Sequence, residues 1–172
     1  MRERTVLNAA APGIHLLAVH ENSLANTIGE WMAAYPGWAI RRVRGKKAST
    51  RVSFMDEIGA ALQLPDYFGE NWDALFECIR DFSWIREPNK LVVFERADLL
   101  LTQSDDDFGV LLKLLNLTNA YWRELPNDVS VKIDPIGFQS VLSCPTDAYA
   151  GLKTRVESTG IPFASLNATQ VD

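Results

Sequence analysis

The feature that most constrains the fold of this chain is the alternation of short apolar runs with segments of helical periodicity. Apolar or β-branched runs at residues 13–19, 38–43 and 90–95 are short enough to be buried strands. Each is followed by a segment in which apolar residues recur every three or four positions. Since strands separated by helices pair side by side in the same direction, the pattern predicts an α/β fold with a largely parallel sheet.

Start and stop signals divide the helical pattern into five predicted helices. Ser23 is the expected cap of the first, and Pro36-Gly37 ends it. Ser49 or Thr50 begins the second, which ends at Leu62, and Asn71 begins the third, whose apolar stripe ends at Phe82. The last two are expected at residues 107–123 and 147–158, and two further strands at residues 129–133 and 138–142.

Length and composition are those of one compact domain. The chain has 172 residues, of which 47% are hydrophobic, which is ample material for a core. We expect a flexible arm at residues 1–12 and a single α/β domain at residues 13–172. The two cysteines, Cys78 and Cys144, are too few for a disulfide framework, so both are predicted to be reduced and buried. No apolar stretch suits a signal peptide or a membrane span, which favours a cytoplasmic protein.

Motifs for catalysis or cofactor binding do not emerge from the sequence. It has no phosphate-binding loop, no dinucleotide fingerprint and no nucleophile elbow. His15 and His20 are expected on opposite faces of a strand, and the cysteines are 66 positions apart, so no metal site is predicted. An acid–base pair made of Asp73 and Glu77 is the enzymatic alternative. We predict a protein that is not an enzyme and needs no cofactor or metal.

Negative charge is concentrated in residues 66–107, which contain eleven acids and four bases, a local net charge of −7 against −5 for the whole chain. Asp73, Glu77 and Asp81 are four positions apart and Glu70 is three before the first, which predicts a carboxylate row on one helix face. Tyr67 precedes this row and is a candidate aromatic anchor. A solvated helix face is the simpler interpretation, whereas a cationic protein partner would explain why like charges are placed so close together.

Positive charge is concentrated at residues 41–51, with six bases and no acid. Because the chain as a whole is acidic, we interpret this run as a solvated strand end and loop, and predict no direct binding of nucleic acid or membranes.

One segment carries a family resemblance. Residues 64–75, Leu-Pro-Asp-Tyr-Phe-Gly-Glu-Asn-Trp-Asp-Ala-Leu, resemble the signature of the barstar family of ribonuclease inhibitors, Leu-Pro-x-Tyr-[Tyr/Phe]-Gly-x-Asn-x-Asp-Ala-Leu. The likeness extends over residues 38–143 and is strongest at 62–82. The strand–helix unit at residues 13–35 and the tail at 145–172 lie outside it. The resemblance implies a small, mostly parallel sheet flanked by helices, here with an added N-terminal strand–helix unit.

The resemblance also implies a function and a site. Such a protein blocks the active site of a microbial ribonuclease with an acidic helix and the loop before it. Tyr67 matches the family's loop tyrosine and Asp73 its first contact aspartate. Glu77 takes the place of the aspartate that dominates binding in the family, and Phe76 takes the place of an exposed tryptophan. Leu117 and Tyr121 lie where the family has two glutamates. The expected partner-binding residues are Tyr67, Glu70, Asp73, Phe76, Glu77 and Asp81.

The expected partner is a basic microbial ribonuclease or ribonuclease-like toxin, bound by a monomer of this chain inside the cell. The alternative is an immunity or interaction module that binds a basic protein of another chemistry through the same face.

Overall fold

The computed structural model describes residues 12–124 and 137–166, in which strands and helices alternate along the chain. The strands are β1 (Ile14–Ala18), β2 (Trp38–Arg44), β3 (Asn89–Glu95), β4 (Phe138–Cys144) and β5 (Ala164–Leu166). The α-helices are α1 (Glu21–Ala34), α2 (Arg51–Leu62), α3 (Trp72–Asp81), α4 (Asp105–Glu124) and α5 (Thr146–Glu157). Short 3₁₀ helices follow β2 and β3, at Gly45–Lys47 and Ala97–Leu99.

The strands form a five-stranded sheet in the order β2-β3-β4-β1-β5, and every pairing between neighbours is parallel. The predicted α/β fold is therefore confirmed. The added N-terminal unit is part of the same sheet, because β1 pairs with β4 from Ile14↔Ser140 to Ala18↔Cys144. β5 then pairs with β1 and becomes the edge strand on that side.

The two faces of the sheet are covered unequally. Helices α2 to α5 pack on one face and form the larger core, to which β1 contributes Leu16 and β3 contributes Phe94. Helix α1 packs on the opposite face, where Leu24 and Ile28 meet Leu17 and neighbouring strand residues. Because both faces are buried, the strands are apolar without alternation, which is the pattern visible in the sequence.

The helix starts agree with the predicted caps at two positions and differ at a third. Thr50 caps α2 in a capping box with Ser53, and Asn71 caps α3. The predicted cap Ser23 is wrong, because α1 begins at Glu21 and His20 Nδ1 accepts from the Asn22 backbone N–H at 3.4 Å. His20 therefore lies at a helix start rather than on a strand with His15.

Other boundaries moved by one or two residues. α4 begins at Asp105 rather than 107, and α5 covers Thr146–Glu157 rather than 147–158. Strand β5 was not predicted, since three residues carry too short a pattern. The strand predicted at 129–133 lies outside the described residues.

Candidate protein-binding site

Helix α3 and the loop before it are held in place at both helix ends. At the start, the Asn71 side chain accepts from the Ala74 backbone N–H at 2.9 Å and donates to the Gly69 carbonyl oxygen at 3.1 Å. A single residue thus fixes both the loop and the first turn of the helix. At the other end, the Trp122 indole N–H donates to the Ile79 carbonyl oxygen at 2.9 Å. The exposed side chains of α3 are therefore presented on a firmly anchored backbone.

Asp107 connects α3 to two further helices from a buried position. Its Oδ1 accepts from the Trp72 indole N–H at 3.1 Å and from Arg51 Nε at 2.9 Å. Burial by itself raises the pKa of Asp107, but the hydrogen bonds from Trp72 and Arg51 outweigh it and hold the pKa below its ordinary value. Asp107 belongs to the acidic segment of the sequence, but its charge is paired with Arg51 inside the fold.

The carboxylates of Asp73, Glu77 and Asp81 lie on one exposed face of α3. Within residues 12–124 and 137–166, none of the three forms an ion pair, and Asp81 accepts only the hydroxyl of Ser83, at 3.1 Å. By contrast, seven acids elsewhere pair with arginine or lysine: Glu21, Glu57, Glu95, Asp98, Asp105, Asp107 and Glu157. The helix thus keeps three carboxylates available to an external cation.

Glu70 does not extend this row in the way that its spacing predicted. It precedes the cap Asn71 and has a left-handed backbone conformation, with φ of 51°. Helical spacing does not apply outside the helix, so the expected continuity of Glu70 with Asp73 is wrong. Glu70 remains exposed beside the start of the helix and adds negative charge there.

Tyr67 lies beside two of the α3 carboxylates, those of Glu77 and Asp81. It is 73% exposed and lines a groove of about 250 Å³ together with Ala74, Glu77, Cys78 and Asp81. Partial desolvation of its hydroxyl, with the nearby carboxylate of Asp81, raises the pKa of Tyr67. The phenol is therefore a neutral hydrogen-bond donor next to two carboxylates. The adjacent Phe68 is half-buried against the core.

Phe76 is half-buried, and its ring is covered by a cation. The guanidinium carbon of Arg80 lies 4.7 Å from the centroid of the Phe76 ring and 5.1 Å from that of Tyr121 on α4. Arg80 was not among the predicted site residues. Its spacing of four from Phe76 was a signal for the first contact, but the contact with Tyr121 depends on how two helices pack, which no local pattern gives.

The basic run at residues 41–51 is largely neutralised within the fold. Arg44 forms a forked pair with Glu57, with Nε–Oε1 at 2.7 Å and Nη2–Oε2 at 2.9 Å. The other three pairs are Arg42 with Glu95, Lys46 with Glu21 and Arg51 with Asp107. Four of the six bases of the run are therefore paired with acids within the fold.

A second depression lies at the carboxyl ends of the strands. It encloses about 140 Å³, and its lining includes Glu21, Arg42, Glu95, Arg96 and Cys144. These four charged side chains pair with acids or bases in or next to the depression. No group of three histidine, cysteine or acidic side chains suited to a metal occurs in the part of the chain that the structure describes. Among the same residues, no helix is long and apolar enough to cross a membrane.

The exposed acidic helix lies in a segment that matches a known protein family. The family model described as "Barstar (barnase inhibitor)" matches residues 38–134, which is more than half of the chain. The chain belongs to the barstar family. The match includes β2, β3, α2, α3 and α4, and hence the exposed carboxylates and the side chains that flank them. A search of curated proteins gave no match.

Solved structures similar to the whole chain come from larger proteins. Cdc6p from Pyrobaculum aerophilum has a TM-score of 0.54 at 15% identity, covering 88% of this chain and 38% of that one. The ORC2 protein of Aeropyrum pernix, in ADPNP–ADP complexes, has a TM-score of 0.54 at 17% identity, covering 96% and 45%. A chain in Drosophila ORC bound to AT-rich DNA and Cdc6 has a TM-score of 0.50 at 14% identity, covering 92% and 49%. The chain spans less than half the length of these proteins, and the likeness concerns the fold alone.

Proposed function

We propose that the chain inhibits a microbial ribonuclease by placing α3 and the preceding loop in the enzyme's phosphate-binding cleft. The observation that carries this proposal is the set of three exposed carboxylates on α3, none of which is ion-paired among the described residues. Membership of a family described as barnase inhibitors supports the same function. Inside the producing cell, the inhibitor protects against its own secreted ribonuclease or against a toxin delivered by other bacteria.

The physical basis is competition for cationic groups. A ribonuclease binds RNA phosphates with arginine, lysine and histidine side chains, and carboxylates accept the same charge-assisted hydrogen bonds. Asp73, Glu77 and Asp81 are about 6 Å apart along the helix axis in steps of four residues, which is close to the spacing of phosphates along a single strand. The anchored ends of α3 reduce the conformational entropy lost on binding.

Catalysis by Asp73 and Glu77 is disfavoured by their surroundings. Both side chains are exposed, and the groove beside α3 is lined by Glu77 but not by Asp73. An acid–base pair works on a substrate that both groups reach in a cleft shielded from water. Because this groove includes only one of the two carboxylates, we propose a binding protein rather than an enzyme.

Two triple variants test the proposal. Asp73→Asn/Glu77→Gln/Asp81→Asn removes the α3 charges. Glu30→Gln/Asp56→Asn/Asp147→Asn is the matched control, since it changes net charge equally at exposed acids that form no ion pair among the described residues. Each immobilised protein is incubated with extract and culture medium of the source organism. The proteins retained are then assayed for RNA cleavage.

The wild-type chain and the control are expected to retain a basic protein that cleaves RNA and to suppress its activity at equimolar concentration. The α3 variant is expected neither to retain this protein nor to suppress its activity, because each buried charge pair that is broken costs about 2–5 kcal/mol of binding free energy. Equal loss in both variants would mean that binding follows overall charge. A retained basic protein without ribonuclease activity would instead support the non-nuclease alternative.

A further inference from the structure

Arg80 is a cation in the middle of the acidic helix, and the structure holds it away from the carboxylates. Glu77 is three residues before it and Asp81 follows it directly, yet the Arg80 side chain forms no hydrogen bond or ion pair in the described ranges. Its guanidinium group lies against the Phe76 and Tyr121 rings instead. The aromatic rings contact the faces of the guanidinium group. Its N–H donors point outwards in the plane of the group and can therefore donate to an acceptor on another molecule.

The neighbouring surface of α4 is apolar where a surface helix is usually polar. Leu117 is 44% exposed and Tyr121, one turn later, is 37% exposed. Three of the six large hydrophobic side chains exposed within the described residues lie on this helix, the third being Val110. Phe76, Arg80, Leu117 and Tyr121 together form what we term the aromatic–aliphatic rim, which adjoins the α3 carboxylates through Arg80.

Resting on the proposed ribonuclease inhibition, we propose that the aromatic–aliphatic rim selects the partner. The ribonuclease that fits has a cationic cleft bordered by an apolar side chain, which packs on Leu117 and Tyr121, and by a carboxylate, which pairs with Arg80. A uniformly cationic surface would bury Arg80 opposite a like charge without an acceptor, and such an arrangement discriminates against wrong partners. The carboxylates attract cationic clefts in general, and the rim distinguishes among them.

The test measures the binding of rim variants to one of two probes: barnase, or the RNA-cleaving protein retained by the immobilised chain. Leu117→Ser and Tyr121→Ser remove apolar contact, and Arg80→Met removes the charge while keeping a side chain between the rings. Val52→Ser on α2 is the control, since Val52 is 74% exposed and far along the chain from the rim. Urea unfolding verifies that each variant folds, and Tyr121→Gln is a second variant should Tyr121→Ser prove unstable.

Dissociation constants are measured with the probe that binds the wild-type chain more tightly. Each rim variant is expected to raise the dissociation constant about tenfold or more, whereas Val52→Ser leaves it within about threefold. If the rim variants bind like wild type while the α3 variant loses binding, ribonuclease inhibition stands and the rim proposal is overturned. If neither probe binds the wild-type chain, both proposals are overturned. Loss in the rim variants but not in the α3 variant supports the rim as an interface and contradicts the proposed role of the carboxylates.

Discussion

Replacing the aspartate at each end of α3 by asparagine should leave the Asp81 variant more stable than the Asp73 variant. Asp73 lies in the first turn, where the helix dipole favours a negative charge by about 0.3–1 kcal/mol. Asp81 is the last residue, where the dipole disfavours it by a similar amount. Each is also four residues from Glu77, and such like-charge pairs cost about 0.2–0.5 kcal/mol.

Asp81→Asn removes two unfavourable terms and is expected to stabilise the fold by about 0.5–1.5 kcal/mol. Asp73→Asn removes one favourable and one unfavourable term, so the repulsion cancels in the comparison. The free energy of unfolding of the Asp81 variant should therefore exceed that of the Asp73 variant by about 0.6–2 kcal/mol. Both variants should bind the ribonuclease more weakly, so Asp81 would be an acid whose contribution to binding opposes its effect on stability.

The measurement is urea unfolding at low ionic strength, repeated in about 1 M NaCl, where a screening length of about 3 Å should shrink the difference. Glu30→Gln is the control, since Glu30 on α1 has no charged residue three or four positions away. Equal stabilities of the two aspartate variants at low salt, or a more stable Asp73 variant, would refute the electrostatic reasoning.

Three further outcomes are expected. Asp107→Ala should lower the free energy of unfolding by about 1–3 kcal/mol, because the Trp72 indole loses its acceptor; urea unfolding measures this, and an unchanged midpoint contradicts it. Burial lowers the pKa of His15 despite its hydrogen bond to Gln139, so the unfolded chain takes up the proton first, and stability should fall as the pH drops below about 6.5. His15→Gln should flatten that slope in unfolding experiments from about pH 7 to 5. Burial raises the pKa of Cys144 to about 11 and also raises that of Cys78, so a thiol reagent at about pH 8 should label neither until urea unfolds the chain.

The fold could be predicted because its signals are local and mutually consistent. The β3 strand is apolar at every central position, and Thr50 and Asn71 cap the helices that follow them, so each boundary was visible in a few residues. The cap of α1 was misassigned because His20, an uncommon cap, competed with a nearby Ser23. β5 escaped because its pairing with β1 comes from tertiary structure and not from its own pattern.

The candidate site was predictable only in part. Spacing was enough to place Asp73, Glu77 and Asp81 on one face, since all three lie within one helix. It failed for Glu70, because a left-handed residue before the cap ends the helical repeat. The burial of Asp107 and the stacking of Arg80 join different helices, so they required the packed structure.

The position of β1 in the sheet also determines when this protein can complete its fold during synthesis. Its described strand partners, β4 and β5, are both encoded late, and 120 positions separate Ala18 from Phe138. At about 5–20 residues per second, a ribosome needs roughly 6–24 s to cover that distance. During this interval β2 and β3 can pair. The apolar residues of β1 remain unpaired, because β4 and β5 have not yet been synthesised. We therefore expect β1 to be a binding segment for a chaperone that recognises short extended apolar segments.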